Sequence, residues 1–267
     1  MTLARPGSRL FPWYDSWWLA AYARATEIIA QACPARLPGF VDAMRVFEAP
    51  QGFNTPVLDH VFDASTFAEI RETISALRPE DLELHEARAF GRFVVHNHPY
   101  FSELHRRTVG LVSEAAGEPV EPTYNFLSLY GGPGVCPLHL DSPQAKWTLD
   151  LCVNQSGPWP IYFSEALPWP APDAAMTAGA GWQDAVKREL AFAPVTLEPG
   201  QAVCFSGSSQ WHYRDALPRS EGRQFCELLF FHFVPAGTRQ LSRPDQWAGI
   251  FGVPELEGLG GGEVVFI

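Results

Sequence analysis

The sequence predicts an α+β protein with a mainly β core, a sandwich or jelly roll, behind an N-terminal helical layer. Three observations carry this. Helical periodicity dominates the first 120 or so residues. After Pro122 the chain changes to eight short β-like runs separated by turn residues. Its 24 prolines and 22 glycines are spread along the whole length rather than gathered in one low-complexity block.

In order, "DSWWLAAYARATEIIAQAC" places Trp18, Ala21, Tyr22, Ala25, Ile28 and Ile29 at helical spacing behind Asp15 or Ser16 as caps. "STFAEIRETISAL" has Thr66 and Glu69 at capping-box spacing, a stripe of Phe67, Ile70, Ile74 and Leu77, and Pro79 beyond its end. "FSELHRRTVGLVSEAAG" predicts one helix from Ser102 to a left-handed stop at Gly117. Between the last two, "ARAFGRFVVHNHPY" reads as a strand with Arg88 and Arg92 on one face. The strands of the second half are "TYNFLSLYGG", "VCPLHLD", "WTLDLCVN", "WPIYF", "APVTLEPG", "QAVCFSG", "WHYRDAL" and "RQFCELLFFHFVP". The expected organisation is one domain, 1–267: a helical support region 1–120, a β core 121–236 with a lid insertion 164–192, and a loop-like C-terminal tail 237–267. The insertion holds the Pro-rich "ALPWPAPDAAMTAGAG" and a helical patch, "WQDAVKREL".

A length of 267 residues with 46% hydrophobic side chains supplies an ample core. The net charge of -11 comes with no basic run, which argues against a nucleic-acid partner. No apolar stretch approaches the roughly 20 residues of a membrane span, and "MTLARPGSRLFPWYDS" lacks the features of a signal peptide, so a soluble, cytoplasmic protein is expected. The five cysteines are far apart with no CxxC pair, which suggests neither a disulfide framework nor a thiolate zinc site.

The chemistry concentrates in "CPLHLDSP". In an extended strand, residues two apart share a face, so His139 and Asp141 can present a nitrogen and an oxygen to one ion. A buried imidazole and carboxylate need such a partner. His212, directly after the buried-looking strand "QAVCFSG", is the candidate third ligand. Two histidines and one carboxylate with open positions suit non-haem Fe(II) better than closed tetrahedral zinc. Arg223, eleven positions after His212, opens the last apolar strand, where a guanidinium calls for a carboxylate partner.

This order of His-x-Asp, later His and Arg before the last strand resembles the Fe(II)/2-oxoglutarate-dependent dioxygenases, in their prolyl-4-hydroxylase-like branch. "LYGGPGVCPLHLD" and "LEPGQAVCF" look like that branch's segments, and the resemblance runs from about Thr123 to Pro235. It implies a double-stranded β-helix (jelly roll), with Fe(II) held by His139, Asp141 and His212 as the catalytic triad, and 2-oxoglutarate and O2 as co-substrates. Arg223 would pair with the distal carboxylate of 2-oxoglutarate, Tyr130 would donate to it, and Thr148 would face it. The implied activity is hydroxylation of an unactivated C–H with release of succinate and CO2. Asp141 favours this, since family members that halogenate carry a small residue there. Two departures, "GPWPIYF" for the usual glycine pair and the stretched distance from Asp141 to His212, bear on the substrate rather than the metal.

A small-molecule or amino-acid-like substrate is expected, with Arg92 and Trp211 as candidate contacts; a peptidyl substrate stays open. One rival reading is a cupin-type metal-dependent oxygenase or isomerase without 2-oxoglutarate. Another is a non-catalytic jelly-roll binding protein. His96, His98 and His105 form a decoy for zinc, lacking a completing carboxylate or cysteine, and His232 reads as a core histidine.

Overall fold

A computed structural model describes residues 16–168, 182–219 and 222–259. Eight helices lie among these residues: α1 Ser16–Ala32, α2 Leu37–Met44, α3 Ala64–Ser75, α4 Ala87–Phe90, α5 Pro99–Arg107, α6 Val109–Ala116, α7 Trp182–Glu189 and α8 Trp247–Phe251. Ten strands accompany them: β1 Val57–Leu58, β2 Arg92–His96, β3 Val120–Tyr130, β4 Cys136–His139, β5 Trp147–Gln155, β6 Ile161–Ala166, β7 Ala193–Val195, β8 Ala202–Phe205, β9 Gln210–Arg214 and β10 Cys226–Pro235. All eight strands expected after Pro122 form, and β1 is an addition the sequence did not signal.

The strands build two antiparallel sheets, one in the order β1-β8-β5-β10-β3-β2 and one in the order β4-β9-β6-β7, which is the jelly-roll arrangement. β10 lies centrally between β5 and β3, and with the second sheet on one face and helices on the other its sequence is almost continuously apolar. Alternation divides it. Cys226, Leu228 and Phe230 point between the sheets, with Val203, Phe205, Ile161 and Phe163. Leu229, Phe231 and Phe233 point outward, to Ile70, Ile74, Phe101, Leu104 and Val112 on α3, α5 and α6. Each such fully buried side chain contributes about 1.5–3 kcal/mol.

The helical layer divides in two. Helices α3, α5 and α6 brace the larger sheet, but α1 and α2 join Trp247 of α8 in a separate cluster with Leu138, Leu140 and Trp211 of the smaller sheet. Trp18 centres that cluster: its indole stacks on Tyr22 and meets Trp247 edge-on, and its Nε1–H donates to the Ser242 carbonyl at 3.0 Å. As far as residue 259 the segment after Pro235 packs onto the core, with Trp247 fully buried and α8 ending on a left-handed Gly252.

Three local expectations change. The cap of α3 is Asp63, whose Oδ1 accepts from the Thr66 amide at 2.7 Å, while Glu69 of the expected capping box instead accepts from the Tyr100 hydroxyl. The helix predicted from Ser102 starts at Pro99 and breaks at Thr108, whose hydroxyl donates to the His105 carbonyl. Arg88 lies on α4 rather than on the strand of Arg92. In the expected lid, α7 forms and packs through Val186 near Tyr213, while 169–181 falls outside the described residues, as do the stretch 1–15 and the terminal 260–267. No helix among the described residues is long and apolar enough to cross a membrane.

Candidate metal centre

The register of the smaller sheet assembles the centre. β4 pairs with β9 so that His139 faces His212, with ring centroids 4.2 Å apart. Asp141, two residues beyond His139, shares its side of the chain. The Asp141 amide donates to the Gly207 carbonyl at 2.8 Å, which anchors the backbone where β4 ends.

Both imidazoles are oriented by the same local device. His139 Nδ1 lies 2.8 Å from the Pro137 carbonyl and His212 Nδ1 lies 3.0 Å from the Gln210 carbonyl, each two residues back. A carbonyl can only accept, so both Nδ1 atoms carry a proton, which makes Nε2 the ligating atom of each neutral ring. The two Nε2 atoms converge on Asp141 Oδ1, at 3.3 Å from His139 and 3.8 Å from His212. Thr148 Oγ1 sits 3.5 Å from the other oxygen, Oδ2. The three ligand atoms lie within 4.8 Å of one another, and this is the one such grouping among the described residues. Outer partners that fix tautomer and leave Nε2 free are characteristic of metal-ligating histidines.

The charges agree. Burial would raise the Asp141 carboxyl, but His212 and then His139 overcome it and hold it well below the usual carboxylate range. Burial, with His139 adding to it, pushes His212 down to about 4, so this ligand is neutral near pH 7. Burial also disfavours charge on His139, yet Cys136 and Asp141 outweigh it and raise that imidazole well above its ordinary value. His139 thus favours a proton facing Asp141, which a metal ion bound there would displace. The His139 side chain is 38% exposed and His212 4%, so the centre opens on the His139 side.

The inner face of the larger sheet forms the opposite wall. Tyr124 and His232 stack at 4.1 Å, and Phe126 and Phe230 continue the column. Farther along, Arg92 pairs with Glu86, and its Nη1 donates to Tyr130 Oη at 2.8 Å and Ser128 Oγ at 3.2 Å. From the smaller sheet, Arg214 donates to Asp150 Oδ2 at 2.7 Å and to the Trp159 carbonyl. Cys136 connects these parts: its thiol lies against His139 and within the field of Arg92 and Arg214.

The structure brings His139, Asp141 and His212 together and turns Thr148, Tyr130 and Arg92 to the same interior. Trp211 goes the other way. As the immediate neighbour of His212 on a strand it occupies the opposite face, buried in the cluster of Trp18 and Trp247. Arg223 is exposed on the loop before β10, its guanidinium 5.9 Å from the Phe225 ring centre. Sequence reasoning missed Arg214, Ser128 and the inward position of His232. The period of two would have found Arg214, two residues after His212, and Ser128, two before Tyr130. Of the decoy histidines, His96 pairs with Glu83, while His105 is buried and bonds the His232 carbonyl at 2.9 Å.

No family model matches the chain, and no curated protein matches it in sequence. Solved structures do share its fold. The non-haem α-ketoglutarate-dependent epimerase SnoN from nogalamycin biosynthesis is 17% identical with a TM-score of 0.52, over 78% of this chain and 89% of that one. The α-ketoglutarate-dependent carbocyclase SnoK from the same biosynthesis is 13% identical with a TM-score of 0.51, over 75% and 89%. EctD from S. alaskensis, crystallised with 2-oxoglutarate and 5-hydroxyectoine, is 11% identical with a TM-score of 0.50, over 69% and 73%. The chain therefore has the jelly-roll fold of the 2-oxoglutarate-dependent oxygenases.

Proposed function

We propose that this protein is an Fe(II)- and 2-oxoglutarate-dependent oxygenase that hydroxylates an unactivated C–H of a small-molecule or amino-acid-like substrate, releasing succinate and CO2. The convergence of two tautomer-fixed Nε2 atoms on Asp141 Oδ1 carries the reading, because it offers one face of ligands to an octahedral ion and leaves the other positions open. Fe(II) held there by His139, Asp141 and His212 would supply the redox chemistry that couples decarboxylation of the 2-oxo acid to C–H oxidation.

The chain's own groups do the rest. Pro137 and Gln210 hold the imidazoles in the ligating tautomer. Phe205 and Phe163 close the side of the centre next to His212 and exclude water there. The column of Tyr124, Phe126 and His232 presents flat apolar surface to a substrate entering from the exposed His139 side. The Asp141 carboxylate favours hydroxylation over halogenation, and the mass change of the substrate separates hydroxylation from the epimerisation and cyclisation named for SnoN and SnoK.

The test is turnover of 2-oxoglutarate by Fe(II)-loaded protein under isotopically labelled dioxygen. One labelled oxygen in succinate, absent in His212→Ala, supports the reading. Once a substrate is found, a gain of one oxygen marks hydroxylation, whereas no change in mass marks epimerisation and loss of two hydrogens marks ring closure. Well-folded, iron-loaded protein that forms no succinate refutes the reading.

A further inference from the structure

The interior between the two sheets has a second polar end that the metal ligands do not explain. Arg92, Tyr130 and Ser128 meet on the inner face where β2 runs beside β3, with Arg92 registered directly opposite Tyr130. The Arg92 guanidinium uses Nε on Glu86 and Nη1 on the two hydroxyls, and Nη2 has no acceptor among the described residues. Because Tyr130 Oη and Ser128 Oγ both accept from Arg92, each still has its own proton to donate, and neither donates to a described residue. Tyr130 is 3% exposed and Ser128 0%, so water cannot readily satisfy those protons. Burial raises the Tyr130 hydroxyl above its ordinary value, which keeps it a donor. The corner thus holds several unused donors around a guanidinium, the composition that binds a carboxylate.

Its position relative to the metal centre is set by β4. Cys136 lies within the field of Arg92 and beside Tyr130, and its thiol rests against His139, so β4 links this corner to the triad. A short dicarboxylate chelated at the triad through its 2-oxo acid head would direct its tail along that strand. The other two arginines are poorer partners. Arg214 has both terminal nitrogens committed, to Asp150 and the Trp159 carbonyl, so an incoming carboxylate would have to displace Asp150. Arg223 lies exposed over Phe225.

We infer that Arg92, with Tyr130 and Ser128, is the anchor for the distal carboxylate of 2-oxoglutarate, in place of the arginine before the last strand. The inference rests on the proposed 2-oxoglutarate dependence. Glu86 then acts as a positioning residue: it fixes Arg92 through Nε and partly neutralises it, so removing its charge should strengthen the anchor.

The experiment is anaerobic calorimetry on the Fe(II)-loaded protein, titrated with 2-oxoglutarate and, separately, with 2-oxobutyrate, which has the same head and no distal carboxylate. The wild type should prefer 2-oxoglutarate. Arg92→Gln should weaken 2-oxoglutarate by about 10- to 100-fold, and Tyr130→Phe by about 3- to 10-fold, with 2-oxobutyrate little changed in both. Glu86→Gln should tighten 2-oxoglutarate, a change that mere loss of packing would not produce, and Arg223→Gln should leave it alone. Should Arg92→Gln fail to fold, the Tyr130→Phe and Glu86→Gln arms decide. Unchanged preference in the folded Arg92 and Tyr130 variants, or loss of preference in Arg223→Gln instead, overturns the anchor while leaving the 2-oxoglutarate reading intact. Wild type that binds iron but neither 2-oxo acid overturns both.

Discussion

Removing the Asp150 carboxylate should destabilise the protein more than most substitutions outside its apolar core. Asp150 is fully buried on β5, and Arg214, 4% exposed on β9, donates to it at 2.7 Å across the space between the sheets. Its remaining oxygen has no hydrogen-bond partner among the described residues, so Arg214 is its principal compensation. Asp150→Ala strands a buried guanidinium and should cost about 3–5 kcal/mol. For a chain of this size that is a fall in Tm of about 6–20 °C. Replacing both partners with apolar side chains, Asp150→Leu with Arg214→Met, removes the stranded charge and should recover most of the loss. Urea unfolding of Asp150→Leu, Arg214→Met, their double variant and the wild type gives the coupling energy directly. The pair also pins β9, which carries His212 two residues earlier, so Asp150→Ala should weaken iron binding as well. A single variant that loses less than about 1 kcal/mol, or a double variant as unstable as the sum of the singles, would refute this account of the pair.

Gly207 is cramped against the metal centre: a Cβ there would collide with Asp141 Oδ2 and meet the Ala145 carbonyl at 2.5 Å. Gly207→Ala should therefore displace the ligand and weaken iron binding by at least about 10- to 100-fold, with the fold retained, as read by iron titration and circular dichroism. Unaltered affinity would show that the carboxylate has room to move. His105 supplies a pH effect. Burial first, and then His232, push its pKa down to about 3, and its ring stacks on Phe231. The folded protein keeps His105 neutral while the unfolded chain takes up a proton below its ordinary value of about 6.5, so stability is lost as pH falls from there toward 3. The slope from this group is at most about 1.4 kcal/mol per pH unit. His105→Gln keeps a donor for the His232 carbonyl and cannot titrate, so its stability should fall less steeply between pH 6.5 and 4.5; parallel curves for variant and wild type would contradict the assignment.

Much of the centre was legible because a strand repeats every two residues. That period puts His139 beside Asp141 and sends Leu138 and Leu140 to the opposite side, with no knowledge of the partner strand required. The same rule excludes Trp211 and selects Arg214, so those two misreadings came from attending to adjacency and resemblance rather than alternation. Arg223 is a different case. Its distance from His212 fits a family pattern, but where a loop residue ends up depends on how the segment before β10 runs, which spacing does not encode. Long amphipathic helices such as α1 and α3 were evident, whereas α8 has only five residues and is held by the burial of Trp247 against Trp18 and Phe40. The break at Thr108 was hidden too, since the apolar periodicity continues across it from Leu104 to Val112. Nor does any local signal divide the helices between the two sheets; long-range packing decides that.

The central claim is that His139, Asp141 and His212 hold Fe(II) with open positions that 2-oxoglutarate can fill. Its most direct test is to add Fe(II) and then 2-oxoglutarate to the protein without oxygen and follow the visible metal-to-ligand charge-transfer band. The account predicts a band that saturates with 2-oxoglutarate and is absent in His139→Ala. Folded wild type that binds iron yet shows no band on adding 2-oxoglutarate would contradict it.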